Sequence, residues 1–486
     1  MLKEDGKVHQ DNRTEAEKRQ DRIAIRLAKI TLDKKLAEEL EIKRLKRAKK
    51  KEEREEKSEE KTNNIVETAE EIMDEYIFAS ISTGVKDEIW LYEKGIWKLK
   101  GKETIRIKAE EILNSHARIS IIREIEEKIK RLTMIDKEDF ENIPEGLVCL
   151  NNGVLNLLTK ELMSHSATFY FKTKVNLTYE PNAQCPNCLN FFDDVLNPED
   201  KDLIQEWLGF QLYNKYLFKK ALIVFGEKDT GKTVFLNLLT EFIGNDNCSS
   251  IALQKINNNN SFSLGSLQNK YANLYDDLSS KDMDDVGGFK IATGGGWLSA
   301  EKKFGDPFQF KNFAKLTFAC NKVPLPNNMD GVEKSAYFGR WLIVPFENQV
   351  DEKDQDKKLC NKITDKEELS GLLNWSLDGL KRLVDNNKFS FNKNIDDVEK
   401  IMLSHNNHLS KFSDESLRAM PFSRITKVDL HDYYVWWCMN NHYTPLSIKQ
   451  FGKRIVRFSP LIVAKNDGVR FWENYSLIAD KNYKKE

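Results

Sequence analysis

The sequence predicts an α/β protein centred on a strand, a glycine-bounded loop and a helix. Three observations carry that expectation. The apolar run Ala221 to Phe225 leads into Gly226-x-x-x-x-Gly231-Lys232-Thr233, an amphipathic helical pattern follows at once, and two later apolar runs, 271–275 and 314–320, end in polar residues as neighbouring strands would. Around this core the expected parts are a charged N-terminal helical or disordered segment (1–62), a mixed α/β domain (63–200), the core itself (201–350), a helical connector (351–419) and a small C-terminal domain (420–486).

The 486 residues suit about three domains of ordinary size. Charged residues make up 31% and hydrophobic residues 40%, which excludes a wholly disordered or collagen-like chain. No apolar run approaches the roughly 20 residues that span a bilayer, and the N-terminus lacks a signal-like apolar segment, so a cytoplasmic protein without a membrane partner is expected. Seven cysteines, an odd number scattered along the chain, point to reduced thiols. Only Cys185 and Cys188 have metal-ligand spacing, and no second pair completes a zinc set, so structural cysteines are the favoured reading.

The formal charge of -1 averages 76 Lys and Arg against 77 Asp and Glu. Residues 1–62 hold 20 basic and 16 acidic side chains, a local +4, including the basic run from Lys43 to Lys51. Their apolar residues do not keep a clean heptad, so a solvated leader is favoured over a coiled coil or a nucleic-acid-binding arm. Next, the alternating apolar residues either side of Glu93-Lys94-Gly95 predict a β-hairpin, helical patterns run from about 102 to 133, and GLVCLNNGVLNL and FYFKTKVNLTY read as strand-like runs. Helices are expected between about 188 and 217.

The loop Gly226, Glu227, Lys228, Asp229, Thr230, Gly231, Lys232, Thr233, Val234 carries the firmest chemistry. Its glycines let backbone amides turn towards phosphates, the helix N-terminus adds positive potential, Lys232 reaches the β- and γ-phosphates, and Thr233 ligates magnesium. Nucleotide hydrolysis also needs a carboxylate on the metal side and a group that activates water. Asp276 and Asp277, at the end of the strand from Tyr271, are the candidates. Asn321, at the tip of the next strand, can position water or simply begin a turn. Arg340, just before another apolar strand, can reach a nucleotide held by a neighbouring subunit or be a surface arginine beside Trp341.

Near the C-terminus a helix from Val428 to about Asn441 precedes Ser447-x-x-Gln450, a capping box that opens a second helix. Lys449, Lys453 and Arg457 recur every four residues on one face, while Ile448, Phe451 and Ile455 line the other. The run LIVAKNDGVRFWE reads as a hairpin about an Asn-Asp-Gly turn. Helix, helix, hairpin is a winged-helix order; the alternative is a helical-hairpin cap with a solvated basic face.

Taken together, these motifs resemble superfamily 3 helicases, in particular the poxvirus, phage and plasmid primase-helicase branch of AAA+ P-loop ATPases. The resemblance covers about residues 140–350 and is carried most specifically by Lys290-Ile-Ala-Thr-Gly-Gly-Gly-Trp-Leu-Ser-Ala-Glu-Lys302-Lys303, then by PFQFKNFAKLTFACNKVP. It implies that Lys232, Thr233, Asp276, Asp277, Asn321 and Arg340 fill the family's Walker A, Walker B, sensor and arginine-finger roles. It also implies that Lys290, Lys302 and Lys303 face DNA, although a solvated hairpin would show the same lysines. The implied activity is ATP- and Mg2+-dependent unwinding by a homo-oligomeric ring, a hexamer, acting on single-stranded and duplex DNA. The alternative is a non-motor ATP-binding initiator or scaffold that assembles on an origin. Residues 1–62 are too charged to fold a primase, so a separate primase or polymerase is an expected partner.

Overall fold

A computed structural model describes residues 14–83, 87–257, 261–278, 285–301, 307–321, 324, 331–349, 353, 355–406, 408–441, 443, 445–456, 462–466 and 469–478. The chain divides into two compact units, Met1–Leu91 with Leu99–Asp136, and Tyr92–Lys98 with Lys137–Glu486. These divisions differ from the boundaries drawn at 62 and 200.

The first unit begins with α1 (Glu15–Glu75), a 61-residue helix started by a capping box in which the Thr14 hydroxyl accepts from the Glu17 amide. No break occurs at residue 62. Instead the last turns bury Ile65, Ala69 and Ile72, which repeat at helical spacing. They pack with β1 (Phe78–Ser82), α2 (Gly101–Leu113) and α3 (Ile119–Leu132). β2 (Asp87–Glu93) runs antiparallel to β1, with Phe78 opposite Leu91. β3 (Ile96–Lys98), which belongs to the second unit, follows the turn at Lys94-Gly95, where both residues have positive φ, as the Glu-Lys-Gly signal requires.

In the second unit, α4 (Lys137–Glu141) precedes the antiparallel strands β4 (Leu147–Leu150), β5 (Gly153–Asn156) and β6 (Leu162–Met163). The run 169–179 forms no ladder, contrary to its strand-like pattern. It is tied to β4 by isolated bonds, Val175 N to Cys149 O at 2.9 Å and Asn151 N to Leu177 O at 2.9 Å. Its alternation still sorts side chains, with Phe171, Val175 and Leu177 buried and Lys172, Lys174 and Asn176 facing solvent to differing degrees. α5 (Pro186–Val195) and α6 (Lys201–Leu212) follow.

The central sheet comprises β7 (Ala221–Phe225), β8 (Cys248–Ser249), β9 (Ala272–Tyr275), β12 (Lys315–Cys320) and β13 (Trp341–Pro345), all parallel, in the order β13-β7-β12-β9-β8. Between them lie α7 (Lys232–Ile243), α8 (Ser261–Gly265), α9 (Gly287–Ala292), the hairpin β10 (Trp297–Ala300) and β11 (Phe308–Lys311), and α10 (Gly331–Phe338). Both faces are covered, which explains why the strands read as unbroken apolar runs. Leu222, Val224, Leu342 and Val344 point into one core, and Ile223, Phe225, Trp341 and Ile343 into the other.

After α11 (Leu359–Ile363), α12 (Lys366–Asn386) packs along α6 and joins the larger core, so it is more than a connector. There the buried Glu206 carboxylate accepts from Arg382 Nε at 2.8 Å and from the Ser390 amide and hydroxyl at 2.7 Å each. α13 (Ile395–Asn406) leads to the C-terminal elements α14 (His408–Ser416), β14 (Leu417–Thr426), α15 (Lys427–Asn440), α16 (Ile448–Ile455), β15 (Ile462–Asn466) and β16 (Val469–Leu477). The capping box at Ser447 and Gln450 forms as the sequence predicts. β14, which the sequence reading passed over, completes an antiparallel sheet β14-β16-β15.

Candidate nucleotide site

The loop from Gly226 to Gly231 joins β7 to α7 at the C-terminal ends of the parallel strands. Its glycines are sterically required. A Cβ at Gly226 would lie 2.1 Å from the Phe346 carbonyl oxygen, and Gly231 has φ +91 with Val195 Cγ1 2.9 Å from where a Cβ would sit. Within this curl Lys232 is buried. Its Nζ donates to the Gly226 carbonyl at 2.9 Å, to the Glu227 carbonyl, and to Thr230 Oγ1 at 3.3 Å. Burial holds the ammonium below the ordinary lysine range, partly offset by neighbouring Cys320, Asp276, Glu227 and Asp229. The loop therefore folds a desolvated cation over its own carbonyls, where an anion would be a stronger partner.

Thr233, in the first turn of α7, donates its hydroxyl to Asp276 Oδ2 at 2.8 Å, 43 residues away in sequence. The other oxygen, Oδ1, accepts the Asp277 amide at 2.8 Å. Asp277 has φ 51, so the chain turns sharply after β9 and the second carboxylate stays exposed. Thr233 and Asp276 are hard oxygen donors on adjacent elements. Magnesium commonly takes one or two protein ligands and completes its shell with phosphate oxygens and water, so the pair fits that ion.

β12 lies between the loop strand and the acid strand. Its tip is bonded to both, through Gly226 N to Cys320 O at 3.3 Å and Leu278 N to Ala319 O at 2.9 Å. Asn321, next along, is exposed. Cys320 itself is buried, and that burial pushes its thiol up to about 12, with Lys232 opposing and Asp277 reinforcing the shift. Sequence reading did not single out Cys320; only its position one residue before Asn321 could have done so. Lys232, Thr233, Asp276, Asp277 and Asn321 are thus gathered at one edge of the sheet.

Arg340 is not among them. Trp341 pairs with Ala221 and Pro345 with Phe225, so Arg340 sits at the start of the strands, roughly 17 Å along β7 from the loop at about 3.3 Å per residue. Its half-buried guanidinium donates through Nε to Thr293 Oγ1 at 3.1 Å and through Nη1 to the Ala336 carbonyl. Arg340 cannot serve the phosphate loop of its own chain.

Of the candidate DNA contacts, Lys290 on α9 pairs with Glu333 at 3.3 Å and is half-buried. Lys302, Lys303 and Arg457 lie outside the described residues, as does the side chain of Lys453. Lys449 is exposed on α16. That helix buries Phe451 and Ile455 as expected, but Ile448 is 45% exposed, because the position after the cap points away from the core. Lys311 Nζ lies 5.2 Å from the ring centre of Trp297, which is itself exposed. Cys185 and Cys188 are buried at the start of α5, where Cys188 Sγ donates to the Ile363 carbonyl at 3.3 Å and burial raises both thiols. No described helix is long and apolar enough to cross a membrane.

Residues 224–340 match a family described as a family of unknown function (DUF5906), and residues 69–197 match one described as D5 N terminal like. The second match makes that stretch similar to the N-terminal part of primase-helicases of phages and viruses. Among solved structures, the A form apo structure of the NrS-1 C terminal region is 13% identical, with 82% of this chain and 97% of that chain covered and a TM-score of 0.46. A second, the apo structure of the NrS-1 C terminal region, is 12% identical, with 82% and 96% covered and a TM-score of 0.45.

Proposed function

We propose that this chain is an ATP-dependent, ring-forming DNA helicase that acts in replication of a virus, phage or plasmid, with an AAA+ type core and a C-terminal winged-helix-like domain. One observation carries the reading: the hydroxyl of Thr233 is bonded to Asp276 at 2.8 Å, with the tip of β12 held between the two strands. The juxtaposition of three sequence-distant motifs supports phosphoryl transfer to water as the reaction.

In this reading the loop amides and Lys232 hold the β- and γ-phosphates, whose negative charge offsets the desolvation of the Lys232 ammonium. Thr233 and Asp276 would hold magnesium, which would supply charge neutralisation at the phosphate oxygens. Asp277 accepts a proton from the attacking water, and Asn321 orients that water as the bond between the γ-phosphorus and its bridging oxygen breaks. Arg340 acts on a nucleotide bound by an adjacent copy, which supports a closed oligomer, such as a hexamer, with the nucleotide between subunits. The match of residues 69–197 to a primase-helicase family supports the replicative setting. The order helix, strand, helix, helix, hairpin in residues 408–477 supports the winged-helix assignment, with Lys449 towards DNA.

The test is DNA-stimulated ATP hydrolysis and strand displacement by the purified chain alongside Lys232→Ala. Both activities should disappear in the variant. Unwinding that survives Lys232→Ala overturns the motor reading, and nucleotide binding without DNA-stimulated hydrolysis favours the non-motor initiator instead.

A further inference from the structure

At the C-terminal end of α7, about 18 Å from the phosphate loop at 1.5 Å per residue, lies an open pocket of about 800 Å3. Four ammonium groups line it, those of Lys98, Lys172, Lys174 and Lys366, against two carboxylates, Glu241 and Asp246. Lys98 is paired with Glu93 at 3.0 Å and Lys172 Nζ lies 4.6 Å from the ring centre of Phe140, so the lining as a whole holds four ammonium groups against two acids. The origin of this cluster is the extended run 169–179. Its period of two, with Phe171, Val175 and Leu177 buried, sends Lys172, Lys174 and Asn176 to one side. The turn at Gly244 supplies the facing wall, where buried Asn247 donates to the carbonyls of Lys174 and Ile243 at 2.8 Å each and so locks the lysine run against the end of α7.

We propose that this pocket is a second phosphate-recognising site, which holds the backbone of a single-stranded nucleic acid. The lining has the chemistry of backbone contact: ammonium and amide donors, and no aromatic ring on which a base would stack. It is open rather than enclosed, so a polymer can enter and leave. The site rests on the proposed DNA-handling role only for the choice of polymer, and it does not need hydrolysis at Lys232.

The experiment is fluorescence anisotropy of a labelled oligo-dT with the full chain in nucleotide-free buffer, over a salt series. Lys172→Glu with Lys174→Glu should weaken binding at least ten-fold and lower the slope of log affinity against log salt by about 1 to 2, while ATP binding and the melting temperature stay as in the parent. Unchanged affinity and slope overturn the proposal. Should the double variant not fold, cross-linking of the parent chain to 4-thiothymidine oligonucleotide decides: adducts at 172–176 or 245–246 support the site, and adducts confined elsewhere overturn it. Tripolyphosphate is the control for a small ligand. If it protects Lys172 and Lys174 from acetylation and the oligonucleotide does not, the pocket serves free phosphates and the proposal fails. The assay contains no nucleotide and needs no hydrolysis, which separates this outcome from failure of the motor reading.

Discussion

At the C-terminal ends of the central strands, Lys232 lies close to the carboxylates of Asp276, Glu227 and Asp229, folded over the carbonyls of the loop between β7 and α7. At the other ends of the same strands, Lys220, Lys315 and Arg340 donate to neutral oxygens: Gly339 O at 2.7 Å, the Tyr213 carbonyl, and Thr293 Oγ1 with Ala336 O. Burial lowers all three. One edge of the sheet gathers acids with its cation, whereas the other holds cations away from carboxylates. Sequence proximity to a strand does not say which edge a residue serves; parallel pairing does.

The largest expected effect tests whether the two edges cooperate across subunits. Arg340→Ala should keep ATP binding but lower hydrolysis by about a thousand-fold, and mixing it with active chains should depress activity more than dilution does, as steady-state ATPase assays of mixed samples would show. Linear dilution would leave Arg340 with only its bonds to Thr293 and Ala336. Next comes the shape of the loop edge. Gly226→Ala forces a methyl against the Phe346 carbonyl and should cost about 1–3 kcal/mol of stability, together with nucleotide affinity measured by calorimetry. Parent-like melting and binding would show that the close approach at 2.1 Å is relieved by a small shift.

A comparable effect belongs to Lys315, fully buried with its ammonium 4.7 Å from the Phe210 ring centre. Its native pKa is well below the usual lysine value near 10.4. Between those two values the unfolded chain binds more protons, so the native state gains stability as pH rises, and the full cost applies below that window. Lys315→Met should therefore raise stability by about 1–3 kcal/mol on the acid side, with the gain shrinking as pH approaches 10. Melting curves from pH 6 to pH 10 check this; a gain independent of pH would mean that the ammonium is not what destabilises that edge.

The loop, its strand and its helix were legible because they are continuous in sequence and strongly patterned. The pair Asp276-Asp277 was legible by spacing, although only the structure shows that Asp276 receives the Thr233 hydroxyl. The edge occupied by Arg340 was not, since it depends on the register between β13 and β7. FYFKTKVNLTY has the alternation of a strand yet forms no ladder, because a period of two reports burial on one side and says nothing about a pairing partner. β14 was missed for the opposite reason. Its residues are mostly exposed and contain Pro421, so they carry little apolar alternation, and pairing with β16 overrides that weak local preference. Lys315 stands second in the apolar run 314–320, and only packing of Phe210 and Tyr216 over it reveals a buried charge.

The 61-residue helix α1 has a thermodynamic consequence. At 1.5 Å per residue it would extend about 90 Å, and while Ile65, Ala69 and Ile72 near its C-terminal end join a core, residues 41–53 are exposed on every side. That middle stretch gains no tertiary packing, so its helicity rests on backbone propagation and on charge pairs three and four residues apart, each contributing only a few tenths of a kcal/mol. One continuous rod therefore spans two melting regimes: a cooperative segment that unfolds with its domain, and a segment that uncoils gradually and at lower temperature as salt rises.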